Sequence, residues 1–291
     1  MNDWPKYWDA WIGREARAAD RLDEALAARW LATLDLPAPD GAEMPQGIHF
    51  ALCTPEAPTA MLGEDGHPAR SDDPAGIYPP IDLPRRMWVG SEIAFLKPLA
   101  IADRVEKLTR VASFEGKEGR NGRLAFLRLD HEFAVDGEPA IREAQTLVYR
   151  EAAASNAPLS PPAARTPAFD PREWDRVRTI TPGEALLFRF SALTFNTHRI
   201  HYDAPYAREM ERYRGLVVHG PLIATLLLQE LANIAGPNTL SHFAFSARSP
   251  AIAGDVMHLA VRATDDGFEC AALNAAGTPL TQANARAKAQ R

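Results

Sequence analysis

The stretch from residue 190 to residue 233 holds the side chains best suited to acid–base chemistry. Asn196, Arg199 and His201 lie within six residues of one another. A histidine near its ordinary pKa can take and return a proton at neutral pH. An asparagine cannot take a proton, but its amide oxygen and NH2 group can orient a water molecule. Asn196 and His201 are therefore candidates for acid–base chemistry on water.

An apolar segment follows this polar cluster and begins at His219-Gly220-Pro221. Its leucines and isoleucines cover most of a helical wheel, which predicts a buried helix. Pro221 suits the first turn, where a missing N–H costs nothing. Gly220 leaves the backbone bare at the end that carries the partial positive charge and unpaired N–H groups. Such groups can hold an oxygen that becomes negative during a reaction, so we predict Gly220 as an oxyanion donor.

Each candidate residue also has a purely structural interpretation. Asn196 could close an Asx-turn by accepting a backbone N–H. His219 could contact a substrate or be buried with a hydrogen bond to backbone. Arg199 could bind an anionic group of a substrate or form a surface salt bridge. The other histidines do not cluster in the sequence, and we expect structural roles for them: His49, His67, His131, His242 and His258.

Composition excludes several classes of function. The formal net charge of −6 over 291 residues argues against nucleic acid as a partner. No apolar run is long enough to cross a bilayer, and residues 1–11 lack a signal-peptide pattern. Two cysteines without a CxxC motif give no disulfide framework or zinc site. No GxGxxG, Walker loop or HExxH occurs, so we expect neither cofactor nor metal, and a cytoplasmic location.

The elements that must position these residues follow from periodicity and turn chemistry. An amphipathic pattern predicts one helix over residues 7–36, and a proline- and glycine-rich region from 37 to 84 predicts no long element. Alternating or apolar runs predict eight strands, four on each side of the polar cluster. These strands are predicted at residues 86–95, 105–114, 123–135, 141–149, 241–249, 255–263, 268–273 and 280–287. Residues 151–172 are rich in alanine and proline, which is typical of a linker.

The chain also repeats itself. PLAIAD at residues 98–103 matches PAIAGD at 250–255, and GEPA at 137–140 matches GTPL at 277–280. Two matches in the same order, each at a turn of the same strand series, indicate a tandem duplication. We predict an α+β tandem (double) hot-dog fold, in which two curved antiparallel sheets each wrap around a central helix. Residues 1–150 form a degenerate N-terminal half that has lost its helix and serves as scaffold and pocket wall, 151–172 a linker, and 173–291 the half with the active site.

Two motifs carry a resemblance to a known family. FNTHRIHYD followed by GLVVHGPLIATLL resembles the MaoC-type double-hot-dog hydratases and dehydratases of 3-hydroxyacyl thioesters. PPIDLPRRMWVGSEIAFLKPL and FRFSALTFNTHRIHYD are most similar to the branch that contains the mitochondrial 3-hydroxyacyl-thioester dehydratase and the mesaconyl-CoA and itaconyl-CoA hydratases. The resemblance covers most of the chain. It implies reversible hydration of an α,β-unsaturated acyl-CoA, with a short branched dicarboxylic acyl group favoured and a homodimer compatible with the fold.

The chain departs from the family motif Asp-x-Asn-Pro-x-His at three positions. His201 falls on the family histidine, whereas Asn196, His198 and Arg199 replace the aspartate, asparagine and proline. The resemblance therefore implies a variant mechanism in which His201 alone moves the proton. Three other functions remain open at this point: a dehydratase for straight-chain acyl-CoA or acyl carrier protein, a thioesterase, and a non-catalytic acyl-CoA-binding protein.

Overall fold

A computed structural model describes residues 6–69, 76–119, 122–162 and 169–288. Ten strands within these residues form one antiparallel sheet in the order β1-β3-β4-β5-β2-β7-β10-β9-β8-β6. The strands are β1 (Glu15–Arg21), β2 (Arg85–Phe95), β3 (Arg104–Gly119), β4 (Gly122–Val135), β5 (Glu138–Arg150), β6 (Arg176–Ile180), β7 (Leu240–Ala247), β8 (Met257–Thr264), β9 (Gly267–Asn274) and β10 (Pro279–Ala287). The α-helices are α1 (Glu24–Thr33), α2 (Glu184–Leu193), α3 (Ala204–Glu209) and α4 (Gly220–Ala235).

The sheet consists of two halves with the same internal order. Each half runs strand, helix, long connection and four strands, and the halves join where β2 pairs with β7 in antiparallel register. The predicted double hot-dog fold is confirmed, and its two curved sheets form one continuous sheet. β5 ends at Arg150 and β6 begins at Arg176, so the predicted linker falls between the halves.

The repeated turns make the same backbone hydrogen bonds in both halves. Leu99 accepts an N–H from Met44, and Ala251 accepts one from Val218, both at 2.8 Å. A further pair links the same turns to the same connections, from Ile101 to Ala42 and from Ala253 to Leu216, both again at 2.8 Å. The sequence repeat therefore corresponds to a structural repeat, and it gives residue-by-residue equivalences between the halves.

The predicted central helix is α4, with His219 as its N-cap and a proline in its first turn. All residues from 221 to 231 are buried, because α4 packs across β7, β8, β9 and β10. In the N-terminal half the described residues between α1 and β2 hold only two short 3-10 helices, Ile48–Ala51 and Thr59–Met61. This half has therefore lost its central helix, as the proline-rich sequence predicted.

The prediction of a single helix over residues 7–36 is wrong. The segment divides into a 3-10 helix (Lys6–Trp11), strand β1 and helix α1. Gly13 has a positive φ of 84° and ends the first turn. β1 then pairs along its whole length with β3. Edge pairing in the tertiary structure overrides the helical propensity of this alanine-rich stretch.

Two further elements were not predicted, and both belong to the same structural repeat. α2 lies in the second half where α1 lies in the first, and the rings of Trp30 and Phe190 meet with centroids 6.0 Å apart. β6 forms the edge of the sheet opposite β1. Among the described residues, no helix has the length and apolarity required to cross a membrane.

Candidate active site

A cleft of about 1540 Å³ opens beside the N-terminus of α4 and is lined by both halves of the chain. Asn196, His201, His219 and Gly220 all border it, whereas Arg199 does not. Four of the five predicted site residues, which are separated by up to 24 positions in the sequence, therefore meet at one cavity.

His201 is held in one tautomer by the backbone. It belongs to a short 3-10 turn, and its Nδ1 lies 2.7 Å from the Val217 carbonyl oxygen. A carbonyl can only accept, so Nδ1 carries the proton and Nε2 keeps its lone pair. Burial lowers the pKa of His201 to about 4, and the backbone hydrogen bond opposes this shift in part. His201 is therefore neutral and ready to accept a proton at physiological pH.

Asn196 combines the two roles considered for it. Its side-chain oxygen accepts the His198 N–H at 3.0 Å, which closes an Asx-turn. Its NH2 group makes no hydrogen bond to any residue that the structure describes, and the residue borders the cleft. The turn thus fixes the amide plane and leaves the NH2 donors for a ligand or a water.

His219 and Gly220 link His201 to the start of α4. The His219 ring stacks on that of His201 with centroids 3.6 Å apart, and its Nε2 lies 2.8 Å from the Ser191 hydroxyl. His219 is only 1% exposed. Its hydrogen-bond partner is the side chain of Ser191 on α2 rather than backbone. Gly220 is the first residue of α4, where N–H groups lack intrahelical partners.

Arg199 points away from the cleft. Its guanidinium forms a salt bridge with Asp203 at 2.7 Å, donates to the Glu64 carbonyl at 3.0 Å and covers the Tyr206 ring. This geometry matches the salt-bridge interpretation, and the substrate-binding role predicted for Arg199 is not supported. Arg199 instead holds residues 196–203 against the loop at residues 62–69.

That loop brings a histidine and a carboxylate that the sequence did not indicate. His67 donates from Nδ1 to the Asp65 carboxylate at 2.9 Å, and its ring lies 4.2 Å from that of His198. The His198 ring in turn lies 5.5 Å from that of His201. Because the loop lies more than 120 residues before the site in a proline-rich region, no local pattern signals the contact.

Asp65, His67 and His198 also form a group of metal-ligand types. One ligand atom from each lies within 4.8 Å of the others. Asp65 already hydrogen-bonds to His67, and this bond together with the charge on His67 lowers the pKa of Asp65 against the opposing effect of burial. The absence of a metal stays a prediction, and an activity assay with and without EDTA tests it.

Replacing Gly66 with alanine is expected to displace this loop and lower kcat/KM. Gly66 has φ of 84°, and a Cβ there would lie 1.9 Å from the Thr197 carbonyl oxygen. Gly13→Ala is a matched control, because Gly13 has the same φ and nothing within 4 Å of its Cβ position. We expect both variants to lose about 1 kcal/mol or more of stability, but only Gly66→Ala to lose activity. Equal activity in the two variants would contradict the proposed packing.

Acid is expected to destabilise the fold through the buried histidines. Burial lowers the pKa of His201 to about 4 and holds those of His198 and His219 well below their ordinary value. The unfolded chain binds protons near pH 6.5 while the folded chain does not, so stability falls as pH decreases below 6.5. His201 alone should contribute a loss of about 2 kcal/mol between pH 7.5 and pH 5.

Urea unfolding at the two pH values measures this loss. His201→Gln removes the titrating group and keeps a polar side chain. The variant should therefore lose less stability on acidification than the wild-type protein. Identical losses would show that His201 does not contribute.

The fold and the site together define a class of protein. A neutral histidine with a free Nε2, a fixed amide and a helix N-terminus surround one cleft on a double hot-dog scaffold. These are the groups that adding water to, or removing it from, an acyl thioester requires. The class is that of the acyl-thioester hydro-lyases.

Comparison with known families gives the particular family. Residues 47–253 match the family described as hydroxyacyl-thioester dehydratase type 2. The chain belongs to this family, and it is a hydro-lyase.

Individual relatives agree with this assignment. The chain is 42% identical over 247 residues to the mesaconyl-C(4)-CoA hydratase of Chloroflexus aurantiacus, and the match covers 84% of each protein. The crystal structure of a MaoC-like dehydratase from Phytophthora capsici superposes with a TM-score of 0.69 at 13% identity over 97% of this chain and 99% of that one. A Mycobacterium tuberculosis protein with a double hot-dog fold gives 0.53 at 12% identity, with 94% of each chain covered. The two structural likenesses concern the fold alone.

Proposed function

We propose that the protein catalyses the reversible hydration of a short branched dicarboxylic acyl-CoA of the mesaconyl-CoA type. The observation that carries this proposal is the 42% identity to a mesaconyl-C(4)-CoA hydratase over 84% of both chains. The hydrogen bond that Asn196 accepts from the His198 N–H supports the reaction rather than the acyl group, because it fixes the side-chain amide at the edge of the cleft.

In the proposed reaction, His201 acts as the base. The NH2 group of Asn196 holds the water, and Nε2 of His201 takes its proton as the oxygen attacks the β-carbon of the enoyl thioester. Electron density moves onto the thioester oxygen, which accepts hydrogen bonds from the N–H groups at Gly220 and the first turn of α4. The protonated His201 then returns a proton to the α-carbon. His219 supports the His201 ring from below without contacting the reacting atoms.

The test is an absorbance assay of the enoyl-thioester chromophore with mesaconyl-C4-CoA and with crotonyl-CoA. We expect the absorbance to fall without release of free thiol, and kcat/KM to be higher for the dicarboxylic substrate. Release of free CoA would indicate a thioesterase. Binding without any change in absorbance would indicate a non-catalytic acyl-CoA-binding protein.

The proposal also includes the small-molecule partner, the location and the oligomeric state. An acyl-CoA is the small-molecule partner, the location is the cytoplasm, and the chain associates as a homodimer. Cell fractionation tests the location, and light scattering after size-exclusion chromatography tests the dimer. The division into units at residues 150 and 173 is tested by expressing residues 173–291 alone.

A further inference from the structure

The space that α4 fills in the C-terminal half is part of the cleft in the N-terminal half. α4 covers the inner face of β7 to β10. In the N-terminal half the structure describes the short 3-10 turn Ile48–Ala51 at the equivalent place, and its His49 lies 3.6 Å from Glu143 on β5. Several residues on this face of β2 to β5 border the cleft. They include Lys107, Thr109, His131, Glu143 and Gln145.

Strand register shows how the two faces differ. Below α4, one cross-strand row consists of Val261, Cys270 and Ala283. The equivalent row in the N-terminal half consists of Thr109, His131 and Glu143. The hydrogen bonds from Leu96 to Ala140 and from Arg248 to Leu280 confirm the alignment, since Glu143 and Ala283 each follow the accepting residue by three positions. An apolar row has therefore been replaced by polar and ionisable side chains where the helix is missing.

The neighbouring row adds a cation. Lys107 pairs with Phe133, and its equivalent below α4 is Leu259, which pairs with Ala272. The Lys107 ammonium lies 5.0 Å from the centre of the Phe133 ring, and it makes no hydrogen bond or ion pair within 4 Å to any residue in the described ranges. Burial lowers its pKa, while Glu143 and Cys53 oppose that shift. The Lys107 ammonium thus borders the cleft beside the Phe133 ring, with no hydrogen-bond or ion-pair partner among the described residues.

The acidic group nearby is already engaged. Glu143 accepts the Ser91 hydroxyl at 2.6 Å and lies 3.6 Å from Nε2 of His49. Burial acts against ionisation of Glu143, but His49, His131 and Ser91 outweigh it and lower its pKa to about 2. Glu143 is therefore an anion satisfied by partners other than Lys107, which leaves the ammonium donors available.

His131 on β4 contributes a neutral imidazole to the same face of the sheet. Its Nδ1 lies 2.8 Å from the Thr109 hydroxyl, and its Nε2 lies 3.3 Å from the Gln145 oxygen. Burial and the charge of Lys107 lower its pKa to about 4. Thr109, His131 and Gln145 thus form a hydrogen-bonded row beside the ammonium.

We propose that Lys107, Thr109, His131 and Gln145 line a polar chamber that binds the free carboxylate of the acyl group, with Lys107 as the cationic contact and the Glu143 anion engaged by Ser91. The proposal rests on the proposed function and names the feature that selects a dicarboxylic substrate. A carboxylate there gains a charge-assisted hydrogen bond from an ammonium whose desolvation is already part of the fold. An aliphatic chain would instead cover the Lys107 ammonium without giving it a hydrogen bond, which disfavours a fatty acyl substrate.

The test uses binding rather than turnover, so it does not depend on hydration. Succinyl-CoA and butyryl-CoA both carry a saturated four-carbon acyl group. The succinyl group ends in a carboxylate, and the butyryl group ends in a methyl group. We expect isothermal titration to show tighter binding of succinyl-CoA to the wild-type protein. Lys107→Met should weaken succinyl-CoA binding about 10- to 100-fold and leave butyryl-CoA binding unchanged, as expected for one charged hydrogen bond. Lys107→Arg should retain the preference.

Arg17→Met is the matched control, because it removes a positive charge from the exposed strand β1 at the same cleft. It should not change the ratio of the two affinities. Equal weakening of both ligands by Lys107→Met would overturn the proposal, since the lysine would then support the fold or the CoA moiety. An unchanged succinyl-CoA affinity would overturn it as well. If the absorbance assay shows no hydration while succinyl-CoA still binds more tightly than butyryl-CoA, only the proposed reaction is contradicted.

Discussion

Replacing His201 with alanine is expected to lower kcat for hydration by about two to four orders of magnitude, the usual effect of removing a general base. The backbone carbonyl of Val217 fixes the tautomer of His201 and leaves the lone pair on its Nε2. Acyl-CoA binding should persist, because the interaction is needed only in the transition state. The absorbance assay under saturating substrate measures the loss.

His258→Ala is the control for this substitution. His258 lies on β8, hydrogen-bonds to Thr179 and stacks on Phe169 away from the cleft. It should change activity by less than twofold. Near-normal activity of folded His201→Ala protein would remove His201 from the mechanism.

Changing Asn196 to aspartate is expected to shift the pH dependence of kcat/KM. The pKa of His201 is about 4 in the wild-type protein, so hydration should be lost only as the pH falls towards 4. A carboxylate at position 196 still accepts the His198 N–H, but it places a negative charge near the imidazole and raises its pKa. The acidic limb and the activity optimum should therefore move to higher pH, which a profile from pH 3.5 to 9 measures.

Asn196→Ala complements this experiment by removing the amide altogether. It should lower kcat strongly, with acyl-CoA affinity retained. Asn274→Asp is the control, since the Asn274 oxygen accepts two turn N–H groups far from the cleft. If Asn196→Ala changes only the affinity, or if Asn196→Asp leaves the acidic limb in place, Asn196 does not hold the water.

The candidate site shows how far local patterns reach. The start of α4 is encoded by a proline in the first turn and an apolar run, and both act within one or two helical turns. The Asx-turn of Asn196 is likewise a contact between residues two positions apart. The packing of Asp65 and His67 over the site joins segments more than 120 residues apart through a glycine-mediated contact. Sequence spacing carries no information about such a contact.

The polar chamber was missed for a related reason. His131 alternates with its neighbours as an ordinary strand residue does, so the sequence predicted a structural role for it and did not single out Glu143. Strand register aligns His131 and Glu143 with Cys270 and Ala283 under α4, and this alignment shows that polar residues replace apolar ones. That comparison requires both the duplication and the pairing of three strands.

The sequence by itself determined the eight predicted strands, the central helix and the duplication, because each depends on side-chain periodicity or on contacts within a few residues. The acid–base roles of Asn196 and His201 stay predictions. The tertiary structure decided that residues 15–21 form a strand, that Arg199 faces away from the cleft, and that polar side chains line the space of the missing helix. These outcomes depend on which distant segments pack together. An edge strand exists only beside its partner, and a buried charge is tolerated only where the fold supplies its neighbours.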